Sequence, residues 1–270
     1  MKKFSSRWAL IATTFFALGM ASSAHAVWTV TSASTFSSDN APPVAINSVT
    51  GYYVASTLGT TNWTPGTLVS YPGLGMTTGT DNGAPFHALD NNQNTEAVLL
   101  GFSGTSIALS GIGLSYTHNG TTQSVSVDAS VFRWTGLLNA NLAAVAPNAT
   151  SGGAMSGWEL VGNYGNLAET INTGASTNLV NSSAFGSSWW LISAYNSGFS
   201  GSGQNVGLLD NGNDYFKLFS VAGNTCTSTA KGVCSGKRVP EPGSLALLAA
   251  GLIGVFGVRR HRNLAQKALV

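Results

Sequence analysis

Charge is what this chain has least of. Asp, Glu, Lys and Arg together make up 8% of its 270 residues, and seven of the twelve basic ones (Lys2, Lys3, Arg7, Arg259, Arg260, Arg262 and Lys267) crowd the two ends. Residues 27 to 239 keep five basic residues against nine acidic ones, which leaves the body near a net charge of −4 although the whole chain is formally +2. A body of that sign has no basic footprint for nucleic acid. Histidine is also scarce: of four, only His87 and His118 lie between the ends. With no Gly-x-Ser-x-Gly elbow, and carboxylates too sparse to place a glycosidase pair, the composition argues against an enzyme. No apolar run reaches the eighteen or more residues of an ordinary membrane span.

What is abundant is Ser, Thr, Asn and Gly, and the apolar residues between them alternate. In Ser124 to Phe132, Val125, Val127, Ala129 and Val131 fall on one face and Ser124, Ser126, Asp128 and Ser130 on the other, the pattern of a strand with one buried face. Ala97 to Phe102, Ile107 to Tyr116, Trp158 to Tyr164, Trp189 to Tyr195 and Tyr215 to Val221 also read as strands, each bounded by Gly, Asn or Ser. Within Ile107 to Tyr116 the apolar phase switches, which predicts a bulge or kink near Ser110-Gly111. Between the ends, helical spacing appears only weakly, at Leu137 to Ala146. Residues 27 to 225 are therefore expected to form one all-β domain, an antiparallel two-sheet β-sandwich of jelly-roll type.

The two ends read as addresses. Lys2, Lys3 and Arg7 precede the apolar stretch Trp8 to Met20, and Ala24-His25-Ala26 offers small residues around a cleavage point before Val27, so residues 1 to 26 are expected to be a signal peptide cut by signal peptidase. At the other end, Pro240 and Pro242 lack backbone donors and favour an extended, accessible stub. The uncharged run Leu245 to Val258 follows, about 22 Å long as a helix and so a marginal anchor for a ~30 Å hydrocarbon core. Arg259, Arg260, His261 and Arg262 come next and place that side in the cytoplasm, with residues 263 to 270 as a cytoplasmic tail. Cys226 and Cys234, eight positions apart in an exported chain, are expected to form a disulfide worth roughly 2.5 kcal/mol, closing an exit segment at residues 226 to 238. A redox pair would call for Cys-x-x-Cys spacing, and a metal pair for a nearby histidine.

Val239, Pro240, Glu241, Pro242 and Gly243, the short apolar helix 245 to 258 and the basic cluster Arg259, Arg260 and Arg262 together resemble the C-terminal signal of bacterial PEP-CTERM proteins, the substrates of exosortase. The resemblance implies export, transient anchoring in the inner membrane, recognition of the Pro-Glu-Pro stub by exosortase, and delivery to the surface or extracellular matrix of a Gram-negative cell, in association with exopolysaccharide and biofilm. Residues 88–102, 128–134, 157–164, 189–196 and 214–221 further resemble exosortase-dependent surface proteins of that class, which bears on fold and surface role and transfers no activity.

Two Asn-rich loops and a set of aromatic side chains are candidates for ligand contact. Asp90, Asn92, Asn94 and Glu96 alternate through one Asn-rich loop, so their oxygens could converge on a hard cation such as Ca2+, although the spacing lacks the complete EF-hand pattern. Asp210 to Asp214 is a second such loop, and Asp128 on the polar face of its strand could orient a neighbouring loop. Trp63, Trp134 and Trp189 are the candidates for stacking on sugar rings. The expected function is a non-enzymatic exported surface or matrix protein; the alternative is a carbohydrate-binding module with a calcium-supported loop.

Overall fold

Strand-forming alternation extends through almost the whole body of a computed structural model. The structure describes residues 25–39, 44–78, 87–123, 125–136, 139–171, 177–200, 203–226, 229–230 and 232–234. In chain order the strands are β1 (His25–Ser32), β2 (Thr35–Ser38), β3 (Ile46–Ala55), β4 (Thr64–Ser70), β5 (Leu74–Thr77) and β6 (Leu89–Asp90). They continue with β7 (Asn94–Phe102), β8 (Ile107–His118), β9 (Val127–Trp134), β10 (Trp158–Leu167) and β11 (Asn178–Leu179). The last are β12 (Trp189–Ala194), β13 (Gln204–Val206), β14 (Tyr215–Thr225), β15 (Thr229–Ala230) and β16 (Val233–Cys234). Residues 1–24 of the expected signal peptide, the Pro-Glu-Pro motif, the apolar run 245–258 and the arginine cluster lie outside the described residues, while His25 and Ala26, the last two residues of that expected peptide, fall within β1. Among the described residues, no helix is long and apolar enough to cross a membrane.

The all-β expectation holds, and the arrangement differs from two separate antiparallel sheets. One continuous hydrogen-bonded sheet runs in the order β11-β8-β14-β5-β4-β3-β7-β12-β9-β10-β13 and curls into a half-barrel, with β1 and β6 paired to β14 and β2 paired to β1. It is mixed, because β10 and β13 pair in parallel. The corner is β4. Thr64, Pro65 and Gly66 pair with β3, whereas Thr67 to Ser70 pair with β5, so one strand carries the ladder from one half to the other. A sandwich reading from strand alternation alone has no means of seeing a strand that changes partner midway.

The curl brings two halves face to face. Val127, Ala129 and Val131 of β9 share a core with Trp190 and Ile192 of β12, Val98 and Leu100 of β7, Leu109, Ile112 and Leu114 of β8, and Phe216 and Leu218 of β14. Behind β7, β9 and β12, loops seal a second core in which Leu99, Phe132 and Leu191 meet Trp63, Leu142, Met155 and Phe199. The middle strands are therefore buried on both faces, which is why β7 reads as a nearly unbroken buried run. The phase switch in β8 has a structural cause: Ala222 pairs with Gly111 and Gly223 with Leu109, so Ser110 is the extra residue of a bulge. No helix forms over 139–146; there Leu142 inserts into the second core from a loop, so its apolar residues report burial and not a helical face.

Candidate functional site

Three carboxylates meet where the chain leaves the sheet's second half and returns to its first. Asp128 begins the polar side of β9, Asp210 lies in the loop after β13, and Asp214 immediately precedes β14. Their oxygens lie within 4.8 Å of one another, and they are the group of this kind found among the described residues. Asp128 ties the surrounding loops to the strand. Its Oδ1 accepts from the Asn166 N–H at 3.1 Å, its Oδ2 from the Asp210 N–H at 2.8 Å, and its own N–H donates to Asp214 Oδ1 at 2.8 Å.

Asn91 completes the arrangement from the far side. Its Nδ2 donates to the carbonyls of Tyr195 and Gly212 at 2.9 and 3.1 Å and to Asp214 Oδ2 at 3.1 Å, while its Oδ1 accepts from the Asp214 N–H at 2.8 Å. A polar cleft opens beside it, lined by Ser56, Asn91, Tyr195, Asn196, Ser197, Asn211, Gly212 and Asn213. Burial pushes the Asp214 carboxyl up to about 8, and the negative charges of Asp128 and Asp210 add to the rise against the opposing hydrogen bond from the Asp128 N–H. Burial likewise raises Asp128. Asp128 and Asp214 are buried and Asp210 is exposed, so the two buried carboxylates favour a shared proton or a cation beside them. Hard oxygen ligands of this type suit Ca2+, and Asp128, Asp210 and Asp214 are the residues that would hold it.

The loop singled out from sequence is placed differently. Asp90 and Glu96 are buried, Asn94 is half-buried and Asn92 is exposed. Asp90 Oδ1 accepts from the Asn92 N–H at 2.9 Å, a local turn, and Glu96 Oε2 accepts from the Asp90 N–H at 3.3 Å. Asn94 and Glu96 are already strand residues of β7, paired with Ala55 and Tyr53. The residue of this loop that joins the carboxylates is Asn91, which the alternation skipped. No local signal marks it, because its partners lie more than a hundred positions away.

The candidate aromatic residues separate by burial. Trp63 is 1% exposed and its indole N–H donates to Met155 Sδ at 3.1 Å, so it packs the second core and offers no face to a sugar. Trp134 and Trp189 are half-buried against the second core, next to each other through the β9–β12 ladder, and the Ser187 hydroxyl lies 2.8 Å from both of their carbonyl oxygens, with its one proton to share between them. Trp158 extends the row: its ring centroid is 5.3 Å from that of Trp134.

At the exit of the domain, Cys226 and Cys234 are joined in a disulfide with Cα atoms 5.1 Å apart. The loop they close is held by Arg133, which is buried: its Nη1 donates to Gly232 O at 2.6 Å, its Nη2 pairs with Glu159 Oε2 at 2.6 Å, and its guanidinium lies 4.1 Å over the Phe185 ring. The chain is thus fixed to the body a few residues before the Pro-Glu-Pro stub. No curated protein and no solved structure matches the chain. A family model for the PEP-CTERM protein-sorting motif does match, over residues 238–262. Beyond the pinned exit, the chain therefore carries the tail of a PEP-CTERM protein, and export with exosortase processing to the cell surface is the route that tail specifies.

Proposed function

We propose that this is a non-enzymatic surface or matrix protein that acts by structural and adhesive contacts with exopolysaccharide. The sorting motif at residues 238–262 carries the reading. A body near −4 with a surface of Ser, Thr, Asn and Gly supports it, since neutral hydrogen-bonding groups suit a hydrated neutral polymer. The test is the intact mass and C-terminal peptide map of the protein from producing cells with and without their exosortase. Loss of the tail beyond the Pro240-Glu241-Pro242 region only when the enzyme is present supports the sorting step, and a tail ending at Val270 in both strains overturns it. Co-sedimentation with the cells' own matrix polysaccharide tests the adhesive part, and a protein that stays in solution rejects it.

A second reading, a carbohydrate-binding module with a calcium-supported loop, rests on two particular observations. Trp134 and Trp189 stand side by side, half-buried against the second core, and Asp128, Asp210 and Asp214 group oxygens suited to Ca2+. Saturable binding to one glycan, lost on Trp189→Ala, together with a melting temperature raised by Ca2+, would favour it over the structural reading.

A further inference from the structure

We propose that Asn119 is a self-modification site, at which the turn after β8 converts the asparagine carboxamide through a cyclic imide with Gly120 into an aspartyl or isoaspartyl residue. The turn is closed by a bridge between His118 and Gln123 and by the Asn119 N–H donating to Thr122 O at 3.2 Å. Gly120 takes it round with φ of 88°.

The groups that such a reaction needs are gathered on one peptide. The nucleophile is the Gly120 nitrogen, which chain connectivity holds beside Asn119 Cγ and which no Cβ shields. Its N–H donates to His118 Nδ1 at 2.8 Å, which places that ring nitrogen as the acceptor of the proton the reaction removes. The electrophile is activated as well. Asn119 Oδ1 accepts from the Thr121 N–H at 3.1 Å, the Thr121 hydroxyl at 2.9 Å and the Thr122 N–H at 2.8 Å, three donors aimed at the oxygen on which charge develops. The imidazole is held in place by Tyr116, stacked at 6.1 Å, and by Tyr215, edge-on at 6.0 Å.

In the first step the Gly120 nitrogen bonds to Asn119 Cγ, its proton passes to His118 Nδ1, and the negative charge on Oδ1 is held by the three donors. The Cγ–Nδ2 bond then breaks, and the nitrogen takes the proton from His118 and leaves as ammonia. Water adds to either carbonyl of the imide and opens it to a carboxylate. The new negative charge lies in the turn beside Tyr215, at the mouth of the β8–β14 pair.

The chain contains its own comparison. At Asn211-Gly212 the Gly212 N–H also meets an acceptor, Asp210 Oδ1 at 2.6 Å, but no donor among the described residues polarises the Asn211 carboxamide. The experiment ages the purified exported protein at neutral pH and follows each site by peptide mapping, with retention time separating the aspartyl and isoaspartyl products. Asn119 is expected to convert about tenfold faster than Asn211, and His118→Gln to slow Asn119 by about tenfold or more while leaving Asn211 unchanged. Thr121→Val, which removes only the hydroxyl donor, should slow the same site and covers the case in which His118→Gln disturbs the turn. Equal rates at the two sites, no effect of either substitution, or faster conversion at Asn119 in urea-unfolded protein than in folded protein would each overturn the proposal.

Discussion

At the scale of single residues, Asp214 dominates the electrostatics. It is 4% exposed, and burial with two neighbouring carboxylates raises it from an ordinary 3.8 to about 8. The folded state therefore holds a proton that the unfolded chain releases, so stability is highest below about pH 4 for this group and falls as pH rises towards 8. Thermal melting between these limits should show that decline, worth on the order of a few kcal/mol. Asp214→Asn, which is neutral at every pH, should flatten the slope; an unchanged slope would mean that the proton sits elsewhere. Under the calcium reading, Ca2+ added at pH 8 should raise the midpoint of the natural protein and leave that of Asp214→Asn unmoved. Sequence made Asp128 and the Asp210 to Asp214 loop visible as separate features. It did not join them, because their union depends on loops that return from opposite ends of the sheet and on Asn91, whose position in an Asn-rich loop looks like any other.

At the scale of elements, legibility followed how local the stabilising contacts are. β9 alternates cleanly in sequence, β10 and β12 read as strands from short apolar runs that feed both cores, and the β8 bulge announced itself by the broken phase of its apolar residues. β3, β4 and β5 were not read, since the chain there is rich in Thr, Pro, Gly and Ser and its order comes from pairing with distant strands. The corner at β4 is testable. A Cβ on Gly66 would run into Met76 Sδ, and one on Gly51, its cross-strand partner, would come within 2.8 Å of the same sulfur. Gly66→Ala should cost about 1–3 kcal/mol in urea unfolding by overpacking. Shortening Met76 to Ala in the same chain should recover part of that cost, a coupling that a double-mutant cycle reads directly. Strict additivity would remove Met76 from the account of the corner. By contrast Ile192→Ala, in the middle of β12 and fully buried, should cost about 2–5 kcal/mol with no such partner to rescue it.

At the scale of the whole molecule, the ends of the body share one place in the sheet. β1 runs antiparallel to β14, with Val27, the residue after the expected cleavage point, opposite Ala222, so the start of the body lies beside the strand that ends just before the disulfide. The body Ala24–Gly236 is one compact unit with its own cores, and its exit is fixed by the Cys226–Cys234 bridge and by Arg133. A unit built this way should not need the sorting tail for its stability. A chain stopped after Gly236 should therefore be secreted, melt at the same temperature as the exosortase-processed protein, and differ only in being released into the medium instead of kept at the surface. Removing the bridge acts on the other term: replacing Cys226 and Cys234 together by Ser should lower the unfolding free energy by about 2.5 kcal/mol. If the truncated chain instead melted lower than the processed protein, residues beyond Gly236 would have to contribute contacts to the body, and the separation of a folded body from a sorting tail would fail.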